Sequence, residues 1–224
     1  MKTTVLVSAI AEWNAVKSLF PRAKLRRFPF GECFDIVLQD EHISFFHSGW
    51  GKIASAGSIQ YVIDRYSPDL IVNLGTCGGF AGDVSQGEIV LVEKTYVYDI
   101  VELMGDPDVI SYYASSLDLS WLAEPYPFPV RRGTLASADS DLLPARIPSL
   151  RSLGAIAADW ESGALAWVAA RSHARLLILR GVSDVVSQEG SEAYNNIELF
   201  NERARGIMEQ LVEQLPEWLN AVKL

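Results

Sequence analysis

The stretch Leu70-Ile-Val-Asn-Leu-Gly-Thr-Cys-Gly-Gly79 decides the fold. Its first four residues form a short apolar and β-branched run, which is typical of a buried strand. The glycine-rich remainder offers backbone amides and a hydroxyl where a ligand can approach the chain closely, although it lacks the pattern of a phosphate-binding P-loop. We therefore predict a core strand that ends in a glycine turn, which serves either a ligand or the local structure.

Comparable apolar runs recur along the chain, and segments with helical spacing lie between them. The runs begin at Thr4, Ile43, Glu88 and Leu176, and the helical segments cover residues 53–65, 161–172 and 200–215. Strands that alternate with helices predict an α/β fold with a central mixed, largely parallel sheet and helices on both faces. Because no flexible spacer divides the 224 residues, we expect a single domain over residues 1–224.

The composition argues against several classes of function. The 28 acidic and 19 basic residues give a net charge of −9, and no stripe of Lys and Arg is available to bind nucleic acid. The 2 cysteines and 3 histidines show no metal-ligand spacing and form no disulfide framework. We expect a cytoplasmic protein without metal or cofactor. We also expect no membrane contact, because no run approaches the roughly 20 apolar residues that span a bilayer.

The region of residues 105–129 has the weakest periodicity in the chain. It carries the pairs Asp-Pro, Glu-Pro, Tyr-Pro and Phe-Pro, which are typical of turns and loops. A long excursion of this kind is either a functional lid or a disordered surface loop, and the sequence leaves both interpretations open.

Ligands of open α/β sheets bind at the carboxyl ends of the strands, so the residues after each run are candidates for chemistry. Three carboxylates lie there: Glu12, Glu161 and Asp184. Glu161 has apolar neighbours such as Trp160, where an unpaired carboxylate is costly, so it needs partners or a function. It is either a functional group or a carboxylate at a helix N-terminus, and Asp184 is either a turn cap or a proton donor.

The order of these motifs resembles that of the nucleoside phosphorylase and nucleosidase superfamily, and most of all its methylthioadenosine/S-adenosylhomocysteine nucleosidases. The resemblance spans residues 5–215 and implies a three-layer phosphorylase/hydrolase-like fold. The motifs that carry it are Glu12, Ser48-Gly-Trp-Gly-Lys52, Asn73-Leu-Gly-Thr-Cys-Gly-Gly79, Asp159-Trp-Glu161 and Arg180-Gly-Val-Ser-Asp184.

The resemblance implies a dissociative cleavage of the N-glycosidic bond of a purine nucleoside. Asp184 matches the residue that protonates N7 of the base, and Glu12 matches the carboxylate that orients and deprotonates water. A ribosyl cation that develops in such a reaction is stabilised by carboxylates in a pocket of low dielectric constant. The implied substrate-binding set is Glu161, which would hold the ribose hydroxyls, with Trp160, Thr76, Arg180, Ser183 and Leu142.

Two departures from the family pattern bear on the reaction and on the base. Where phosphorylases have a phosphate-binding arginine before the glycine turn, this chain has Asn73, which favours water over phosphate. The aromatic residue expected two positions after Asp139 is absent, and Trp160 stands where the nucleosidases have methionine. We therefore expect Trp160 to supply the aromatic surface on which the base stacks, in place of the absent residue.

The leading prediction is a nucleosidase that hydrolyses a 5′-modified adenosine-type nucleoside. The alternatives are a futalosine hydrolase, a purine nucleoside phosphorylase, and a silent nucleoside-binding protein on the same fold, since fold does not fix function. The resemblance also implies a homodimer in which residues 101–104 of the partner complete the pocket for the 5′ group.

Overall fold

A mixed β-sheet forms the centre of the computed structural model, which describes residues 1–105 and 109–223. The predicted fold class is confirmed, and each of the predicted strands and helices is present. The strands are β1 (Thr3–Val7), β2 (Arg26–Phe28), β3 (Gly31–Leu38), β4 (Glu41–His47), β5 (Leu70–Phe80), β6 (Ile89–Val97), β7 (Ala114–Ser116), β8 (Arg131–Ser137), β9 (Ala155–Asp159) and β10 (Leu176–Val186).

The helices form two outer layers over this sheet. Successive side chains of a strand point to opposite faces, so Val5 and Val7 pack against the helices of residues 10–19 and 197–220, while Leu6 packs against those of residues 51–66 and 162–171. The three layers that the resemblance implied are therefore present. The helices are α1 (Ile10–Leu19), α2 (Gly51–Tyr66), α3 (Val109–Tyr112), α4 (Ile147–Ser152), α5 (Ser162–Arg171) and α6 (Ile197–Asn220).

Strand β5 lies at the centre of the sheet and pairs with three other strands. It pairs in parallel with β1 and β10 and in antiparallel fashion with β9. Because β10 pairs with β6, β6 with β8, and β8 with β9, the pairings close into a ring that returns to β5. This ring brings the carboxyl ends of β5, β9 and β10 together beside that of β1.

The glycine-rich half of the opening stretch is a strand, not the turn that we predicted. Strand β5 continues to Phe80, and its Gly78 and Gly79 pair with β9 on one side and β10 on the other. Gly79 serves close packing, whereas Gly78 lines the cavity described below. A Cβ at Gly79 would lie 2.5 Å from Val84 and 2.8 Å from Val182, which no real side chain tolerates.

The excursion of residues 105–129 is ordered where it is described, while residues 106–108 lie outside the described part. It contains α3 and β7, which pairs with β6, and it buries Trp121 and Leu122 in the core. None of its described residues lines the cavity discussed below. Within residues 1–105 and 109–223, no helix combines the length and apolarity that crossing a membrane requires.

Candidate active site

A cavity of about 490 Å³ opens where the carboxyl ends of β1, β5, β9 and β10 meet. Its base comes from residues on or just after these strands, and we call this set the strand-end floor: Glu12, Thr76, Asp159, Glu161 and Asp184. Its side comes from residues in the loops between elements, and we call this set the loop wall: Trp50, Asp141, Leu142, Tyr194 and Asn195.

Glu12 lies in the first turn of α1 and is almost fully buried. Its Oε1 accepts hydrogen bonds from the backbone N–H of Thr76 at 2.6 Å and from the Thr76 hydroxyl at 2.8 Å. Its Oε2 accepts from the N–H of Ala9 at 3.2 Å. Burial raises the pKa of Glu12 above its ordinary value, although Arg180 and the Thr76 hydrogen bonds act in the opposite direction.

Arg180 lies beneath the cavity, where its side chain is 1% exposed, and it is not among the residues that line it. Its Nε donates to Asp159 at 2.9 Å and its Nη2 donates to Asn73 at 2.7 Å. A Cβ at Gly75 would overlap Nη1 of Arg180 and lie 3.0 Å from Oε1 of Glu12. These hydrogen bonds hold Arg180 below the floor, so its place in the substrate-binding set stays a prediction.

Asn73 is also fully buried, and it does not face the cavity as a phosphate ligand would. Its Nδ2 donates to the carbonyl of Leu6 at 3.0 Å, while its Oδ1 accepts from Arg180. The amide therefore links β1, β5 and Arg180 of β10. Its place in the sequence led us to compare it with a phosphate-binding arginine, whereas its contacts show a bridge inside the sheet.

Glu161 occupies the N-cap position of α5, yet its side chain does not cap that helix. Its Oε1 accepts a hydrogen bond at 3.1 Å from the N–H of Gly51, the first residue of α2. Asp159 accepts from the N–H of Ser162 at 3.1 Å instead. Burial, and then the Asp159 carboxylate, raise the pKa of Glu161 to about 8. The alternative of a carboxylate that merely ends a helix does not describe these contacts.

Asp184 lies inside β10, beyond a shift in the register with β5 between Val182 and Asp184. It is nearly buried and faces the cavity. Its Oδ1 accepts from the hydroxyl of Ser183 at 2.6 Å, and its Oδ2 accepts from the hydroxyl of Ser191. Because it belongs to a strand, Asp184 is not the cap of a turn.

Trp160 lines the cavity and stacks on Trp50, with ring centroids 5.3 Å apart and planes at 26°. One face of the Trp160 ring is therefore covered by another indole. Leu142 lies on the loop wall, and its carbonyl accepts a hydrogen bond from the hydroxyl of Tyr194. Trp50 and Leu142 give the wall an aromatic and apolar surface, and Trp160 adds a second indole beside it.

A family model described as the Phosphorylase superfamily matches residues 7–216. The chain belongs to the phosphorylase superfamily. Two curated relatives are named 5′-methylthioadenosine/S-adenosylhomocysteine nucleosidase. The one from Anoxybacillus flavithermus is 27% identical over 82% of this chain and 84% of its own length. The one from Bacillus subtilis is 24% identical over 91% and 93%.

Solved structures of the same kind of protein share the fold. The nucleosidase of S. pneumoniae with a transition-state inhibitor superimposes with a TM-score of 0.77 at 18% identity, over 99% of each chain. The nucleosidase of Helicobacter pylori gives a TM-score of 0.78 at 16% identity, over 97% of this chain and 99% of that one.

The sequence motifs predicted residues of the strand-end floor but missed most residues of the loop wall. Seven of the residues that we singled out line the cavity together, namely Glu12, Thr76, Leu142, Trp160, Glu161, Ser183 and Asp184. We did not predict Trp50, although it lies within the Ser-Gly-x-Gly-Lys motif. We also missed Tyr194 and Asn195, because residues 187–196 carry no pattern that distinguishes a wall from an ordinary loop.

Proposed function

We propose that this chain hydrolyses the N-glycosidic bond of a 5′-modified purine nucleoside of the methylthioadenosine or S-adenosylhomocysteine type. The observation that carries the proposal is the charge of the cavity. The described residues that line it include no Lys, Arg or His, but they include the carboxylates Glu12, Asp141, Asp159, Glu161 and Asp184.

This charge favours water over phosphate as the nucleophile. A phosphate dianion would enter a cavity lined by carboxylates, and opposite charges at close range are what bind phosphate in proteins. The nearest guanidinium, that of Arg180, lies below the floor and donates to Asp159 and Asn73. The same carboxylates favour a ribosyl cation, which develops when the base leaves before the nucleophile arrives.

The contacts of the floor support a division of labour. Glu12 is held by Thr76, and burial raises its pKa, which makes its carboxylate a stronger base toward water. Glu161 faces the cavity with one oxygen bound to Gly51 and so has acceptor capacity for ribose hydroxyls. Asp184 faces the same cavity and acts as the proton donor to N7 of the base.

The names of the relatives support the substrate class. Both curated relatives and both solved structures above are nucleosidases of methylthioadenosine and S-adenosylhomocysteine. A second candidate substrate is futalosine, because the Trp50–Trp160 stack offers an indole surface to an aromatic 5′ group.

We further propose a homodimer that acts in the cytoplasm. Apolar side chains are strongly exposed near the cavity mouth and on the segment of residues 101–104, where Leu103 is 89% and Met104 is 96% exposed. Such exposure is typical of an interface. Both cysteines are buried and free, which fits a reducing compartment. A monomeric mass in light scattering, with full activity at the same concentration, would contradict the homodimer.

Chromatographic detection of free base tests the proposed function. Methylthioadenosine, S-adenosylhomocysteine, futalosine and unmodified purine nucleosides are incubated with the wild type, and Asp184→Asn serves as the blank for contaminating enzymes. We expect base release from at least one 5′-modified nucleoside. Binding of these nucleosides without release of base from any of them would instead indicate a silent binding protein.

A further inference from the structure

The segment of residues 190–195, which carries Tyr194 and Asn195 of the loop wall, brings a second hydroxyl to Asp184. Its two ends, Gly190 at φ +101° and Asn195 at φ +58°, both adopt the left-handed conformation, so the chain turns sharply at each end. Between these turns, the Ser191 hydroxyl donates to Oδ2 of Asp184. The side chain of Ser191 is therefore placed by the backbone of a loop and not by the sheet.

Two contacts on the C-terminal side of Ser191, at Glu192 and at Tyr194, hold this segment in place. Arg203 of α6 donates through Nη1 to Glu192 at 2.7 Å and to the carbonyl of Ser183 at 3.0 Å. The hydroxyl of Tyr194 donates to the carbonyl of Leu142. Burial raises the pKa of Tyr194 to about 12, so the phenol keeps its proton and remains a donor at neutral pH.

The two serines that contact Asp184 are not equivalent donors. The Ser183 hydroxyl has one proton and two acceptors, the carbonyl of Cys77 at 3.2 Å and Oδ1 of Asp184 at 2.6 Å. The Ser191 hydroxyl already accepts from the N–H of Ala193 at 3.1 Å, which leaves its own proton for Asp184. Ser191 is thus the donor that is committed to this carboxyl group.

We propose that Ser191 is a positioning residue that holds the Asp184 carboxyl group in the orientation from which it gives its proton to the base. The inference rests on the proposed function. The outer torsion of an Asp side chain is broad, so contacts at both oxygens are needed to fix its plane. When the proton moves from Asp184 to N7, the C–N bond electrons pass to the base, and the new carboxylate accepts the hydrogen bond from Ser191.

The experiment compares Ser191→Ala with Ser191→Thr and with Ser187→Ala. Ser187 is a matched control, since its hydroxyl also organises this loop, by accepting from Glu189 at 3.1 Å, but it does not contact Asp184. One readout is kcat for base release. The other is the ratio of Kd values for two unreactive analogues, one 9-deaza with a hydrogen on N7 and one 7-deaza with carbon at that position.

We expect Ser191→Ala to lower kcat by about tenfold and to reduce the preference for the N7–H analogue severalfold, because a misplaced acid loses its contact with N7. Ser191→Thr should restore both values to within about twofold, since the hydroxyl is kept. The Ser187→Ala variant should retain the wild-type Kd ratio.

Two results would overturn the role of Ser191 while leaving the proposed function intact. One is a wild-type kcat and Kd ratio in Ser191→Ala. The other is an equal loss in Ser187→Ala, which would assign the effect to loop order. If the wild type itself releases no base from any nucleoside, the proposed function fails, and the Kd ratio still decides whether Ser191 positions Asp184.

Discussion

The strand-end floor and the loop wall meet in one cavity but are built in different ways. The floor residues Glu12, Asp159 and Glu161 are at most 7% exposed and are held by backbone amides or by Arg180. The wall comes from loops, and its Trp50 is 65% exposed. Four of the five carboxyl groups of the cavity lie in the floor, whereas the aromatic rings of Trp50 and Tyr194 lie in the wall.

This difference separates two tasks of the proposed enzyme. Groups that act on developing charge must be fixed before the substrate binds, and the ends of packed strands fix them. Groups that select the base and the 5′ substituent need only a surface of suitable shape, which loops supply and vary easily. We therefore expect changes in the floor to affect stability and rate more than comparable changes in the wall or on the surface.

The largest effect that we predict concerns the support beneath the floor. Arg180→Met leaves Asp159 as a buried charge without its partner, so we expect the free energy of unfolding to fall by about 3–5 kcal/mol. Arg132→Met is the matched control, because Arg132 pairs with Glu93 on the surface and such pairs contribute about 1 kcal/mol or less. Urea denaturation measures both variants. Equal losses would show that the floor has no special rigidity.

The next effect concerns the proton donor of the floor. Asp184→Asn cannot deliver a proton, so kcat should fall by about a hundredfold or more while nucleoside binding largely persists. Asp141→Asn removes a carboxylate from the wall of the same cavity and should cost far less. Steady-state kinetics of base release compare the two. Turnover of Asp184→Asn within about twofold of wild type would contradict its role.

A smaller effect is expected for the contact with the sugar. In assays above pH 8, where Glu161 is ionised, Glu161→Gln should weaken cleavage of a riboside more than that of its 2′-deoxy counterpart, since only the riboside loses a charge-assisted hydrogen bond. We expect the ratio of the two kcat/KM values to fall by about tenfold, on protein shown to be folded. An unchanged ratio would contradict the contact of Glu161 with the ribose hydroxyls.

The last prediction concerns the dependence of stability on pH. Because the pKa of Glu161 is raised to about 8 from 4.5, the folded protein binds this proton more tightly than the unfolded chain does. Its contribution is fully present below pH 4.5 and is lost as pH rises through 8, by at most about 1.4 kcal/mol per pH unit. Glu161→Gln should flatten this slope in urea titrations between pH 5 and pH 8. A slope identical to wild type would place Glu161 in a solvated setting.

The sequence allowed the floor to be predicted because its residues are tied to strand ends. Apolar runs mark the strands, so the sequence alone predicts that Glu12, Glu161 and Asp184 lie at one edge of the sheet. The prediction of a turn at the glycine stretch was wrong. This stretch is a strand because β5 pairs with β9 and β10, which lie far away in the sequence. The contacts of Ser191 and Tyr194 depend on where a loop folds back, which local composition does not specify.

The central claim is that water, not phosphate, attacks the sugar in a cavity lined by carboxylates. The most direct test follows base release from a reactive nucleoside in phosphate-free buffer and again with phosphate added, with an assay for the sugar 1-phosphate. The account predicts the same rate in both buffers, with only the free 5′-modified ribose as the sugar product. Base release that requires phosphate and yields the sugar 1-phosphate would contradict it.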